Sequence, residues 1–254
     1  NDLLVHGEQP VAPEAEEKYL NWIRQRAEHI PLQQLTGEQG FMGLTFNVNE
    51  HVLIPRQDTE ILVEEVLKEL HDGMRVLDMC TGSGCILLSL LHYSNDCEGL
   101  GVDLSAEALE VAGRNVLKVL TPEKAEHAHF LQSDLFEKVE GKFEIIVSNP
   151  PYIASAEVEK LMPEVRDHEP RMALDGTEDG LYFYRRIIEE AGKHLVSSGM
   201  LFFEIGYDQG QAVSELMRTE GYCDVQVVQD YAGLDRVVFG TYVTVQPAPF
   251  AKSR

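Results

Sequence analysis

In Asn149-Pro-Pro-Tyr152 an amide, two prolines and a phenol follow directly on the apolar run Ile145, Ile146, Val147. The run predicts a buried strand, and the prolines stop it because neither ring nitrogen can donate to a ladder. A side-chain amide, two proline carbonyls and an aromatic ring are thereby left at the carboxyl edge of a sheet, where open α/β folds bind ligands. A strand followed by a rigid turn would use the same residues, since Asn-Pro is an ordinary turn initiator. Alone, the tetrapeptide leaves both readings open.

The segment Asp78-Met-Cys-Thr-Gly-Ser-Gly84 follows a predicted strand at 75–79 and runs into a predicted helix at 84–93. Gly82 and Gly84 permit a tight turn and the close approach of a ligand, with a helix N-terminus behind them. This falls short of the three-glycine dinucleotide fingerprint, and its value rests on the strand before and the helix after. Asp103 ends the next predicted strand, about 20 residues on, where a carboxylate accepts hydrogen bonds from a ribose diol. Asp134, in Gln132-Ser-Asp-Leu-Phe136, follows a third strand where a carboxylate can meet an adenine amino group and Leu135 can flank the ring. Either aspartate could instead cap a helix. Three such strand ends beside Asn149 point jointly to a nucleoside ligand. Arg56, fixed behind Pro55 near a helix start, is either a solvated loop cation or the holder of an anionic group or neighbouring carboxylate. Cys80 has the atom type of a nucleophile, but no histidine is placed by the sequence to activate it.

The elements that must position these residues are legible in the periodicity. Strands are predicted at 75–79, 98–103, 127–132, 143–148, 199–205, 222–229 and 236–244, and helices at 84–93, 105–119, 179–196 and 208–219. Strands alternating with amphipathic helices predict an α/β fold: a doubly wound, mostly parallel seven-stranded sheet with helices on both faces, Rossmann-like. Only Asp230 to Asp235 separates the last two strands, so they predict a terminal antiparallel hairpin. Upstream, residues 1–12 read as loosely ordered, and Tyr19, Leu20, Trp22 and Ile23 recur at helical spacing between Pro13 and Pro31. Phe41, Leu44, Phe46 and Val48 alternate around Gly43 as a short β-hairpin. Asp58 or Thr59 is expected to cap the next helix, whose apolar face is Ile61, Leu62, Val66, Leu67 and Leu70. The irregular stretch 150–178 exceeds ordinary loop length and reads as a functional lid.

Composition narrows the partners. The chain of 254 residues carries 43 acidic against 21 basic residues, a formal charge of −22. Such a surface repels phosphate backbones unless a basic patch intervenes, and Arg185-Arg186 is the one adjacent basic pair. A protein or small-molecule substrate is favoured over nucleic acid. The four cysteines form no C-x-x-C and read as reduced thiols of a cytoplasmic protein. The nine histidines are dispersed, with His127 and His129 the closest pair, and supply no metal-ligand set. No apolar run reaches the ~18 residues of a membrane span.

Taken together, Ile54-Pro-Arg-Gln-Asp-Thr-Glu60, Asp78 to Gly84, Ser133-Asp-Leu-Phe136, Asn149-Pro-Pro-Tyr152 and Gly233-Leu-Asp-Arg-Val-Val238 resemble the HemK/PrmC family of class I S-adenosylmethionine-dependent methyltransferases. The resemblance covers roughly residues 20–245. It implies methyl transfer from S-adenosylmethionine to the side-chain amide of the glutamine in the Gly-Gly-Gln motif of peptide chain release factors. Asn-Pro-Pro-Tyr alone is shared with enzymes that methylate the amino groups of adenine or guanine; the segment around Pro55 and Arg56 narrows the choice. By position, the resemblance places the cofactor loop on Cys80, Thr81, Gly82, Ser83 and Gly84. It places the ribose carboxylate on Asp103, the adenine-flanking position on Leu135, and the substrate site on Asn149, Pro150, Pro151 and Tyr152; the residue reading adds Asp134 to the cofactor site and Arg56 to the substrate site. Cys80 stands where a glycine is common, Gln57 where a second proline is, and Leu135 where a tryptophan is frequent. Residues 1–36 are expected to be the remnant of a helical substrate-binding domain, 37–55 a connector and 56–254 the methyltransferase domain, acting as a monomer.

An amide nitrogen is a poor nucleophile, so such a site must orient it more than deprotonate it. The Asn149 side-chain oxygen and the Pro150 carbonyl can each accept one N–H of the substrate amide, while Tyr152 packs on its plane. Three rival readings use the same residues: an amino-methyltransferase acting on a flipped base, a nicotinamide-dependent oxidoreductase, and a non-catalytic acidic docking module.

Overall fold

The first helix, α1 (Pro13–Ala27), opens on a proline whose fixed φ suits a first turn, and α2 (Leu32–Thr36) ends on Gly37 in the left-handed conformation. Tyr19, Leu20 and Ile23 of α1 are exposed. The hairpin follows as β1 (Glu38–Phe41) and β2 (Leu44–Asn47). Met42 and Gly43 between them both have positive φ, the turn that matches strand twist. Phe41 and Phe46 stack edge to face at 6.0 Å and sink into the main core. The connector is therefore packed on the body of the protein, and Asn115 bonds both the N–H (2.7 Å) and the carbonyl (3.1 Å) of Asn47.

The structure, a computed structural model, describes residues 7 and 9–243. The expectation for residues 1–12 falls mostly outside these, and that for Thr244 wholly so. The body begins with α3 (Asp58–Glu69), β3 (Arg75–Met79), α4 (Cys85–Tyr93), β4 (Glu98–Asp103), α5 (Ala106–Val119), α6 (Pro122–Ala125), β5 (Ala128–Gln132) and β6 (Phe143–Ser148). Two short helices, α7 (Ser155–Val158) and α8 (Pro163–Arg166), and a 3-10 turn at Arg171–Ala173 occupy the long irregular stretch. The chain ends through α9 (Tyr182–Ala191), β7 (Leu195–Glu204), α10 (Gly210–Thr219), β8 (Tyr222–Gln229) and β9 (Asp235–Tyr242).

The seven strands form one sheet in the order β5-β4-β3-β6-β7-β9-β8, parallel except for β9, which runs antiparallel to β7 and β8. Its helices cover both faces. Along β6, Ile145 and Val147 enter the core beneath α3 and α4, while Ile146 enters the opposite core with α9 and α10. Successive strand residues face opposite ways, so a strand buried on both sides must be apolar throughout. No helix among the described residues is long and apolar enough to cross a membrane.

Two expectations need correction. The helix expected over 179–196 is α9, ten residues long, and β7 starts earlier than expected. Backbone bonds from Lys193 and His194 to Glu190 and Ala191 close the helix, and Leu195 pairs with Phe143, so its apolar side chain belongs to the sheet. Neither Asp58 nor Thr59 caps α3. The Thr59 N–H already bonds the Arg56 carbonyl at 3.2 Å, which puts both residues inside the first turn. Thr59 instead faces inward, 3% exposed.

Candidate active site

β3 has β4 on one side and β6 on the other, so the chain leaves it in opposite directions and the carboxyl ends of these strands part into a cleft. The cleft encloses about 220 Å³ and is lined by Cys80, Thr81, Gly82 and Ser83 after β3, Asp103 at the end of β4, Asp134 and Leu135 after β5, and Asn149 and Pro151 after β6. Arg56 lines it as well. Gly84, Pro150 and Tyr152 stand behind this wall. Gly84 caps α4 at φ 77°, and a β-carbon there would press on Ala112 and Leu88 at 3.2 Å, so it serves helix packing. Pro150 is buried and Tyr152 half-buried.

The loop after β3 hangs on two carboxylates. Asp78 is fully buried, and its Oδ2 accepts from the Thr81 hydroxyl (2.6 Å) and the Leu87 N–H (3.3 Å). Burial pushes its carboxyl up to about 7 despite those bonds. Asp103 accepts from the Gly82 N–H through Oδ2 and from the Ser105 N–H through Oδ1, both at 2.9 Å. Burial also raises its carboxyl above the ordinary value. Ser105, rather than Asp103, caps α5. Cys80 has φ 64°, a left-handed conformation that costs a non-glycine residue about 1–2 kcal/mol and explains why a glycine is the easier residue here. Burial, then the Asp103 and Asp78 charges, drives the Cys80 thiol far above its ordinary value, so it is no nucleophile.

Around Asn149 the geometry is directional. The Asn149 Nδ2 lies 3.5 Å from Thr59 Oγ1, a long contact that joins the tetrapeptide to α3. Tyr152 donates its hydroxyl to Glu204 Oε1 at 3.2 Å, and its carbonyl accepts from Gln209 Nε2 at 2.9 Å. Ser148, just before the tetrapeptide, donates to the Met79 carbonyl at 2.6 Å and ties the ends of β6 and β3 together.

Some neighbours escaped the sequence reading. His51, Val52 and Leu53 of the connector form one wall of the cleft, and Pro170, Met172 and Ala173 of the long stretch form another. For Pro170, Met172 and Ala173 the one sequence signal is the excess length of 150–178; the connector residues carry none. Arg56 is neither a loop cation nor free: it pairs with Glu169, whose side chain is 1% exposed. Asp134 is paired too, its Oδ1 accepting from Arg186 at 2.9 Å.

The cleft fits a nucleoside. Each Asp103 oxygen retains a lone pair beyond its backbone bond for a diol. A β-carbon at Gly82 would meet no protein atom within 4 Å, so the backbone there is open to close approach. Leu135, 6% exposed, supplies apolar surface to a base. These features suit S-adenosylmethionine, with Asn149 adjoining its site.

Comparison with known proteins is consistent throughout. The family model described as methyltransferase small domain matches residues 56–165, and that described as PrmC N-terminal domain matches residues 1–37. The release factor glutamine methyltransferase of Clostridium acetobutylicum is 42% identical over 240 residues, covering 93% of this chain and 84% of its own length. That of Moorella thermoacetica is 45% identical over 238 residues, covering 92% and 83%. Among solved structures, a methyltransferase from Pyrococcus furiosus has a TM-score of 0.57 at 18% identity, covering 80% of this chain and 91% of its own. The hMettl16 catalytic domain, in complex with an RNA hairpin, has a TM-score of 0.62 at 17% identity, covering 82% and 78%. These two share the fold.

Proposed function

Because the chain belongs to the family of release factor glutamine methyltransferases, we propose that it methylates the glutamine side-chain amide in the Gly-Gly-Gln motif of a peptide chain release factor, with Asn149 and Pro150 as the amide's acceptors. Bound S-adenosylmethionine supplies an electrophilic methyl on a positive sulfur. Asp103 would hold the ribose diol, Leu135 and Asp134 would flank the adenine, and the backbone of Cys80 to Gly84 would face the rest of the cofactor. Asn149 Oδ1 and the Pro150 carbonyl each accept one N–H of the substrate amide, which aims its nitrogen lone pair at the methyl. Tyr152, fixed at its hydroxyl and its carbonyl, packs against the amide plane and excludes water. Asn149 and Pro150 would thus orient the amide rather than deprotonate it, and the product proton would pass to water afterwards. Arg56 and Glu169 shape the substrate side of the cleft.

The observation that carries this reading is the position of Asn149 directly after β6, where it lines the same cleft as Gly82, Asp103 and Leu135. We place the enzyme in the cytoplasm as a monomer; its four unpaired cysteines suit a reducing compartment. Incubation with a release factor and S-adenosylmethionine should add the mass of one methyl to the motif glutamine, and RNA and DNA should stay unmodified. Asn149→Ala should lose most of this activity while S-adenosylhomocysteine binding falls less. Methylation at wild-type rate by that variant would remove the assignment.

A further inference from the structure

We propose that Gln209 is a positioning residue for methyl transfer: it holds the Tyr152 carbonyl and thereby fixes where the Asn149 and Pro150 acceptors stand. This rests on the function proposed above. Gln209 ends Ile205-Gly-Tyr-Asp-Gln209, the segment between β7 and α10, which the proposed chemistry leaves unused. Its backbone is locked into the start of α10. The N–H donates to the Gly206 carbonyl at 2.9 Å, and the carbonyl accepts from the Val213 N–H at 3.0 Å. The side chain is oriented by groups that have one role each. Oε1 accepts from the Gly206 N–H at 2.9 Å; Nε2 donates to the Tyr152 carbonyl at 2.9 Å and lies 3.4 Å from the Gly180 carbonyl. A backbone N–H only donates and a carbonyl only accepts, so the amide has one satisfied orientation, with its nitrogen toward the tetrapeptide.

The bond matters because the tetrapeptide is stiff. Ring closure fixes φ at Pro150 and Pro151, and the residue before each proline is confined to extended backbone. Few free dihedrals therefore separate Asn149 from Tyr152, and a shift of the Tyr152 peptide carries back to the Pro150 carbonyl. Upstream, Ser148 ties this unit to the end of β3. Downstream, the Ile153 N–H donates to the Leu174 carbonyl at 3.0 Å, and the Ile153 carbonyl accepts from the Gly176 N–H at 2.8 Å. Gln209 grips the chain between these two anchors. The junction has no slack: a β-carbon at Gly176 would meet the Pro151 carbonyl at 2.8 Å, and one at Gly206 would meet Gln209 Oε1 at 3.0 Å.

The test compares Gln209→Leu and Gln209→Glu in methyl transfer to a release factor. Leucine removes both bonds. Glutamate keeps an acceptor for the Gly206 N–H and sets an ionised oxygen against the Tyr152 and Gly180 carbonyls. Each variant should lower kcat roughly ten- to hundredfold, with KM for the release factor and affinity for S-adenosylhomocysteine within about threefold. A glutamine that served only the turn at Gly206 would be replaced by glutamate, so wild-type kcat in Gln209→Glu overturns the inference, as does a loss confined to KM. If neither variant folds, Gln209→Asn decides. It keeps the amide but draws it back by one methylene, and it should lower kcat while cofactor affinity is retained; wild-type kcat overturns the proposal. Wild-type turnover in the Gln209 variants while Asn149→Ala is inactive would refute only this inference. A wild-type enzyme that leaves glutamine unmethylated would refute the function beneath it.

Discussion

Arg56 and Glu169 meet from 113 residues apart, the arginine 40% exposed at its side chain and the carboxylate buried. The second oxygen of Glu169 accepts from the Ile54 N–H at 3.3 Å, so one carboxylate pins the long stretch after Tyr152 to the segment before α3. Gln34 adds a bond to the His168 carbonyl at 2.7 Å, and Arg26 pairs with Glu164 at 2.9 Å. The wall of the cleft formed by residues 170–173 thus hangs on the N-terminal part of the chain.

The two halves of this pair should differ in importance. Arg56→Ala leaves a buried carboxylate without its cation and should cost about 1–3 kcal/mol, the lower part of the range for buried pairs because the arginine is partly solvated. Glu169→Gln keeps an acceptor for the Ile54 N–H and leaves Arg56 to water, so it should cost less. Urea unfolding of both variants gives the comparison, and a larger loss in Glu169→Gln would contradict it.

Asp103→Asn should weaken S-adenosylhomocysteine binding by about ten- to hundredfold. Both carboxylate oxygens already accept backbone N–H groups, and an amide nitrogen cannot replace either. The loop at Gly82 loosens as the diol loses its acceptor. Titration calorimetry reads the affinity directly, and an unchanged Kd would remove Asp103 from the cofactor site.

Gly180 has φ 73°, and a β-carbon there would collide with the Tyr152 carbonyl and Gln209. Gly180→Ala should therefore destabilise the protein by about 1–3 kcal/mol and reduce turnover, since the carbonyl that must move belongs to the substrate tetrapeptide. Thermal melting and kcat on the same preparation check both; a variant neutral in each would show that the tetrapeptide tolerates displacement.

Asp78 gives stability a pH dependence opposite to the usual carboxylate. Burial lifts its carboxyl from 3.8 to about 7, so the folded protein keeps a proton that the unfolded chain has released. Its contribution to stability therefore falls as pH rises between about 4 and 7 and is constant above. Asp78→Asn should remove that slope. The difference in unfolding free energy between wild type and variant, followed across this window, isolates the group; a difference that does not change with pH would show that Asp78 ionises normally.

Much of the site was legible because its signals are local. Two prolines after Val147-Ser-Asn end a strand wherever that strand lies, glycines at 82 and 84 mark a turn with positive φ, and Asp230 to Gly233 folds on its own aspartate, whose Oδ1 accepts from Ala232 and Leu234. Apolar period and breakers therefore determined the strand ends, the loop and the edge hairpin without reference to distant residues. What each polar side chain touches was decided only in three dimensions. Glu169 for Arg56, Thr59 for Asn149, Glu204 for Tyr152 and Arg186 for Asp134 lie between 52 and 113 residues away. Those pairings follow from β6 lying between β3 and β7 and from the course of the long stretch between Tyr152 and Tyr182. Strand order is a property of the whole core, set by which apolar faces cover one another, and no local propensity encodes it.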